Sequence, residues 1–137
     1  MNMNIPIIVL VAILAATQPT PTEYLEMAVE AEAGICDTYE KQLVASCIMN
    51  RVYSDEFPDT IKEVIEQPGQ FQVYTNNRIN EVEVTRASVH AVDSVLRGKV
   101  ETNILYFANY EISDIGNQIW LDTLTEVYTG LMRYYKE

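Results

Sequence analysis

Between Thr20 and Arg97 the apolar residues recur at intervals of three and four, and that spacing commits most of the chain to short amphipathic helices packed on one another. Thr20, Pro21 and Glu23 open the first helix with a capping hydroxyl, a proline at the first helical position and a carboxylate three residues after the cap. It is predicted to run to about Ala33 and to stop at Gly34. Asp37 and Glu40 repeat the capping pattern ahead of a second helix with Leu43, Val44, Cys47, Ile48 and Val52 along one face, and the two helices are expected to form a hairpin. A third helix is expected from about Thr60 to Glu66, burying Ile61, Val64 and Ile65. Gln67, Pro68 and Gly69 then make a turn into a brief extended stretch at Phe71, Val73 and Tyr74. A fourth helix, from about Val82 to Arg97, carries Val84, Ala87, Ala91, Val92, Val95 and Leu96 on one face and ends at Gly98. His90 falls off that stripe and is expected at the surface. The aromatic-rich runs Ile104 to Phe107 and Leu131 to Tyr135 are β-prone. The fold class is therefore α+β, mainly α, and 137 residues suffice for one core and not two.

The first residues differ in kind. Ile5 to Ala16 is an apolar run broken only by Pro6, reaching about 18 Å as a helix, which is short of a bilayer core. That length suits the apolar region of a signal peptide or a short membrane tether through residues 5–16, although no Lys or Arg precedes it. Pro19 and Pro21 lie in a Thr-rich linker, so residues 1–20 read as signal or anchor with linker and residues 21–137 as the domain. The expected location is secreted or membrane-anchored.

Charge and metal-ligand chemistry narrow the function classes. A formal net charge of -11 with only nine Lys and Arg argues against a nucleic-acid partner and against a polybasic membrane surface. Cys36 and Cys47 follow no disulfide-framework spacing and read as two isolated thiols. A single histidine, His90, cannot anchor a zinc site alone, so no metal and no cofactor are expected.

The residue that stands out is Glu32. At about 100° per residue it shares a stripe with Leu25, Ala28 and Val29, while Glu23, Glu26 and Glu30 gather on the opposite, solvent side. A carboxylate in apolar surroundings is costly to ionise and raises its pKa instead, the condition a general acid needs near neutral pH. The plainer explanation is a buried carboxylate satisfied by backbone donors or by Arg51.

Ala31-Glu32-Ala33-Gly34, Asn50-Arg51-Val52, Phe57-Pro58-Asp59-Thr60-Ile61, Val64-Ile65, Gly69-Gln70-Phe71, Tyr106-Phe107-Ala108-Asn109, Trp120 and Gly130-Leu131-Met132-Arg133-Tyr134-Tyr135 follow one another in a specific order. Together they resemble the SleB/CwlJ-type spore-cortex-lytic and cell wall hydrolase family over nearly everything after Thr22. The resemblance implies a lysozyme-like, mostly helical fold, an enzyme that cleaves peptidoglycan glycan strands, and Glu32 as the catalytic acid. It further implies Gln70, Phe71, Tyr106, Asn109 and Trp120 as substrate-side residues, with Asn50 and Arg51 holding the fold. A monomer is expected. The chain departs from the family pattern at Ala108 to Tyr110, where a His-Asn-Pro triplet is common, and at Met132, where histidine often precedes the closing aromatic pair.

Glycosidic cleavage needs a neutral acid at the leaving oxygen and a nucleophile for the oxocarbenium-like centre. A hydrolase usually supplies a second carboxylate, and Asp55, Glu56, Asp59 and Asp114 are the candidates, with Asp59 better suited to capping the third helix. A lytic transglycosylase uses the 6-hydroxyl of the muramyl sugar with the same glutamate as base, giving a 1,6-anhydro end, and the resemblance favours that route. A muramidase using water, or a non-catalytic glycan-binding relative, are the alternatives. The acidic balance sits uneasily with an anionic wall substrate, since screening acts only over about 8 Å. A less anionic substrate, a locally neutral cleft or tethering would each resolve it.

Overall fold

The computed structural model describes residues 18–99, 101 and 103–137. The expected signal or anchor over 5–16 lies outside them. Among the described residues no helix is long and apolar enough to cross a membrane.

Helix α1 spans Pro21–Ala33, and its start is the one its sequence spells: the Thr20 hydroxyl accepts from the Glu23 N–H and the Glu23 carboxylate accepts from the Thr20 N–H at 2.8 Å. It stops at Gly34 as expected, but not through a left-handed glycine. Gly34 keeps right-handed helical angles, and the buried Lys41 ammonium closes the helix by donating to the carbonyls of Ala33 (2.6 Å), Gly34 (2.9 Å) and Cys36 (3.2 Å). A cation on the last carbonyls also complements the negative end of the helix dipole. Helix α2, Thr38–Val52, starts at Asp37, whose carboxylate accepts from the Glu40 N–H. Leu43, Val44, Cys47 and Ile48 are fully buried against α1, as the periodicity requires.

Helix α3 is Ile61–Ile65, with Val64 and Ile65 in the core, and its cap is Thr60 rather than Asp59. The stretch expected to be extended after Gly69 is instead a single helical turn, α4 (Gln72–Thr75), with Phe71 as its cap residue. Phe71 and Val73 alternate like a strand and are both buried, but one turn of helix buries them equally well. A 3-10 turn, Arg78–Asn80, follows, anchored by the fully buried Ile79. Helix α5, Arg86–Leu96, packs on α1 and α2 and ends before Gly98, whose φ is +109°. It begins later than the apolar pattern suggests because Thr85 caps it, which leaves Val84 outside and puts Ser88 rather than Ala87 in the core. His90 is exposed, as its place off the stripe predicts.

The remainder is a small sheet with a helix set into it. Strands β1 (Tyr106–Ala108), β2 (Thr125–Thr129) and β3 (Arg133–Lys136) are antiparallel in the order β1-β3-β2, with Phe107 opposite Tyr134. Between β1 and β2 lie a 3-10 turn, Tyr110–Ile112, and helix α6, Ile115–Leu121, capped by Asp114. Neither α6 nor β2 is among the elements expected from the sequence, because α6 buries only Leu121 and so lacks an apolar stripe facing the core. Phe71, Phe107, Tyr134, Tyr128 and Tyr39 stack ring to ring, with centroids 5.1–6.0 Å apart, and lock the sheet onto α4 and α2. Cys36 and Cys47 are both free thiols.

Candidate active site

Glu32 lies in the last turn of α1 and faces a cavity of about 570 Å³ between that helix, the α4 turn, β1 and the β2–β3 hairpin. Its neighbours in sequence, Ala31 and Ala33, are buried, whereas Glu32 is half-buried with its carboxylate in the cavity wall. Burial pushes its pKa up to about 7, against the opposing pull of a hydrogen bond from the Val73 N–H and of the Arg78 charge. Val73 lies in the first turn of α4, where backbone N–H groups have no partner within so short a helix. At neutral pH the acid is therefore divided between its protonated and ionised forms, which is the state needed to give a proton and take one back.

Two of the other three glutamates of α1 are not the solvent decoration that periodicity suggests. Glu23 serves the capping box, and Glu30 accepts from the Thr85 N–H (3.1 Å), the Thr85 hydroxyl (2.8 Å) and the Ser88 hydroxyl (2.5 Å). It thereby holds the start of α5 against α1. Burial raises the Glu30 pKa, but these hydrogen bonds outweigh it and the net shift is downward.

A second cavity of about 250 Å³ shares Gln70, Phe107, Ala108, Ser113 and Asn117 with the first, so the two form one groove across β1. Tyr106 and Trp120 line its far end, edge to face with centroids 5.1 Å apart, and Trp120 is 46% exposed. Gln70 sits where the two cavities meet and Asn109 is exposed in the wall of the Glu32 cavity. Five of the six residues expected at the site, Glu32, Gln70, Tyr106, Asn109 and Trp120, are thus brought to one groove. Phe71 is the correction: at 2% exposure it is in the core beneath the groove, its ring covered by the Arg51 guanidinium and by Phe107.

Arg51 does not satisfy Glu32. It is buried, donates from Nε to the Leu105 carbonyl (2.8 Å) and from Nη1 to Gln70 Oε1 (3.2 Å), and lies over the rings of Phe57, Phe71 and Tyr106. Asn50 donates to the Glu101 and Ile104 carbonyls, so both residues fasten the segment leading into β1 to α2.

Among the candidate second carboxylates only Asp114 lines the Glu32 cavity, and it is committed to its own helix, accepting from the Asn117 N–H (3.0 Å) and Nδ2 (2.6 Å). Two of the positions at which the sequence departs from the family pattern, Ala108 and Met132, line the same cavity. The sequence did not single out Arg78, Ser113 or Asn117, which also line the wall. Arg78 and Ser113 lie on turns and Asn117 on α6, where no periodic pattern marks them.

The hairpin part of that wall is held from below by Glu40, which is buried and accepts from the Met132 N–H at 2.9 Å. Gly130 lies so close to this carboxylate that a Cβ there would overlap it. The Tyr134 hydroxyl donates to the Glu40 carbonyl, and burial, followed by the Glu40 charge, raises the pKa of that phenol.

Comparison with known proteins agrees with this architecture. The catalytic domain of the germination-specific lytic transglycosylase SleB from Bacillus anthracis matches with a TM-score of 0.70 and 26% identity, covering 88% of this chain and 98% of that one. The catalytic domain of the Bacillus cereus SleB protein matches with a TM-score of 0.68 and 27% identity, covering 88% and 94%. Among curated proteins no sequence matches. A family model described as cell wall hydrolase matches residues 37–134, most of the chain, with Glu32 just ahead of the matched segment. The chain belongs to the cell wall hydrolase family, as a glycan-cleaving enzyme of mainly helical, lysozyme-like fold.

Proposed function

We propose that the protein is a lytic transglycosylase of peptidoglycan that cleaves the MurNAc–GlcNAc bond with Glu32 as acid and then base. Neutral Glu32 gives its proton to the glycosidic oxygen as the bond from C1 of the muramyl sugar breaks. The resulting carboxylate takes the proton of the 6-hydroxyl while O6 bonds to C1, closing a 1,6-anhydro ring and returning Glu32 to its acid form without consuming water. The observation that carries this reading is a half-buried carboxyl with a pKa near 7 in a groove whose other lining carboxylate, Asp114, already serves as a helix cap. Gln70, Asn109, Ser113 and Asn117 offer polar groups to sugar hydroxyls, and Tyr106 and Trp120 offer ring surface at the far end. The chain acts as a monomer, and the apolar run over 5–16 delivers it to the wall as a signal peptide or tether.

Digestion of purified peptidoglycan with product masses read directly tests the mechanism. Anhydro ends, lighter than reducing ends by one water, are expected from the wild type and no soluble fragments from Glu32→Gln. Reducing ends alone would assign a muramidase that uses water, and a Glu32→Gln chain lysing at the wild-type rate would remove Glu32 from the chemistry.

A further inference from the structure

Arg78 is the one cation lining the Glu32 cavity among the described residues, and it has no work elsewhere in the fold. Its guanidinium makes neither an ion pair nor a side-chain hydrogen bond among those residues, whereas Arg51 is spent on the Leu105 carbonyl and Gln70, and Arg133 on Glu111 and Glu126. The backbone beneath it is fixed by several contacts. Asn77 adopts a left-handed φ of 64°, the Asn76 side chain accepts from the Arg78 N–H at 3.1 Å, Asn80 Nδ2 donates to Asn77 Oδ1 at 2.6 Å, and Ile79 is fully buried. Asn tolerates that backbone conformation better than most residues, but it still carries some strain. A rigid turn therefore presents an exposed guanidinium, with its planar fork of donors unused, to the cavity that holds the catalytic acid. Other ionisable groups in that cavity are Glu32, Asp114 and Cys36, so Arg78 is its sole positive counterpart in a chain of net charge -11.

We propose that Arg78 is a specificity-determining residue that binds a carboxylate carried by the glycan next to the scissile bond. This rests on the peptidoglycan reading above, because it is the muramyl sugar that bears such a group, either as its own lactyl carboxylate or on an attached peptide. The assignment answers the mismatch between an acidic protein and an anionic substrate: repulsion over the surface is screened with distance, while the single charge that must be accepted meets a guanidinium inside the groove.

Binding separates this from the catalytic reading. The full chain carrying Glu32→Gln, with and without Arg78→Gln, is titrated calorimetrically with three short glycan fragments: one with free lactyl carboxylates, one with the lactyl groups joined to a peptide, and one with them capped as methyl amides. Arg78→Gln is expected to weaken binding about tenfold or more for a carboxylate-bearing fragment and to leave the methyl amide unchanged, since a charge-assisted pair is worth at least that factor. The fragment that responds identifies whether the lactyl group or the peptide is read, and Arg78→Lys should recover part of the loss. Equal weakening on all three fragments, or none on any, overturns the proposal. Wild-type protein that cleaves no glycan while this Arg78-dependent binding persists would overturn the transglycosylase reading and leave carboxylate recognition standing.

Discussion

Replacing Glu32 by glutamine should abolish lysis and stabilise the protein, and the gain should depend on pH in a defined way. Burial moves this carboxyl from an ordinary 4.5 to about 7, so holding it ionised in the folded chain costs about 3 kcal/mol relative to the unfolded chain, at 1.36 kcal/mol for each factor of ten. The folded pKa lies above the unfolded one. Between 4.5 and 7 the folded protein keeps a proton that the unfolded chain has released, so the contribution to stability is fully present below 4.5 and is lost as pH rises through 7. Glutamine is neutral at every pH, keeps an oxygen for the Val73 N–H, and is free of that loss. Urea unfolding of both proteins at pH 4 and pH 8 measures the difference. We expect Glu32→Gln to gain about 2–3 kcal/mol relative to wild type on going from pH 4 to pH 8, whatever constant offset the amide introduces. A stability difference that is the same at both pH values would refute the idea that the cavity holds an acid disfavoured in its charged form.

Three further expectations concern the same machinery and its supports. The rate of lysis at low substrate should fall as pH rises through about 7, where Glu32 loses the proton it must give, and a pH profile flat from 6 to 9 would contradict this. Lys41→Met should lower stability by about 1–3 kcal/mol in thermal or urea melts, because the carbonyls of Ala33, Gly34 and Cys36 lose their common donor at a partly buried helix end. Gly130→Ala should lower stability by about 1–3 kcal/mol by driving a methyl into the Glu40 carboxylate, and should reduce lysis further through the displaced Leu131 and Met132, whereas an unchanged melt would show that the hairpin can yield.

How far the site could be read from sequence depended on whether its determinants were local. The starts of α1 and α2 are set by side chains three residues apart, and both occur where Thr20 and Asp37 put them. Glu32 was legible for the same reason: its place on an apolar stripe follows from helix geometry alone. The Gln72–Thr75 turn was not, since Phe71 and Val73 alternate as well in a strand, and what selects a helix is packing against the Glu32 side of α1 and the ring of Phe107. Helix α6 escaped because three of its four large apolar residues, Ile115, Ile119 and Trp120, are 72%, 62% and 46% exposed and so do not mark a core face. Arg78 was invisible for a different reason. A charged residue in an Asn-rich turn reads as solvent-exposed, and only the meeting of that turn with α1, residues far apart in sequence, gives it a neighbour to act on.

The four glutamates of α1 show why composition could not have singled out the proposed acid and periodicity could do so only in part. Glu23 is taken up by the helix cap, accepting from the Thr20 N–H, while Glu30 accepts from Thr85 and Ser88 and its pKa falls although its carboxylate is partly buried. Glu26 moves upward through burial and the neighbouring Glu23 charge, yet it faces neither Gln70 nor the β1 groove. Only Glu32 combines burial, a single backbone donor and an opening onto the groove. Its proton affinity is thus a property of the cavity rather than of the helix, and the cavity is assembled from α4, β1 and a hairpin pinned by Glu40. A change at Gly130 or Glu40, without touching α1, should therefore move the pH dependence of lysis by letting water reach the carboxylate.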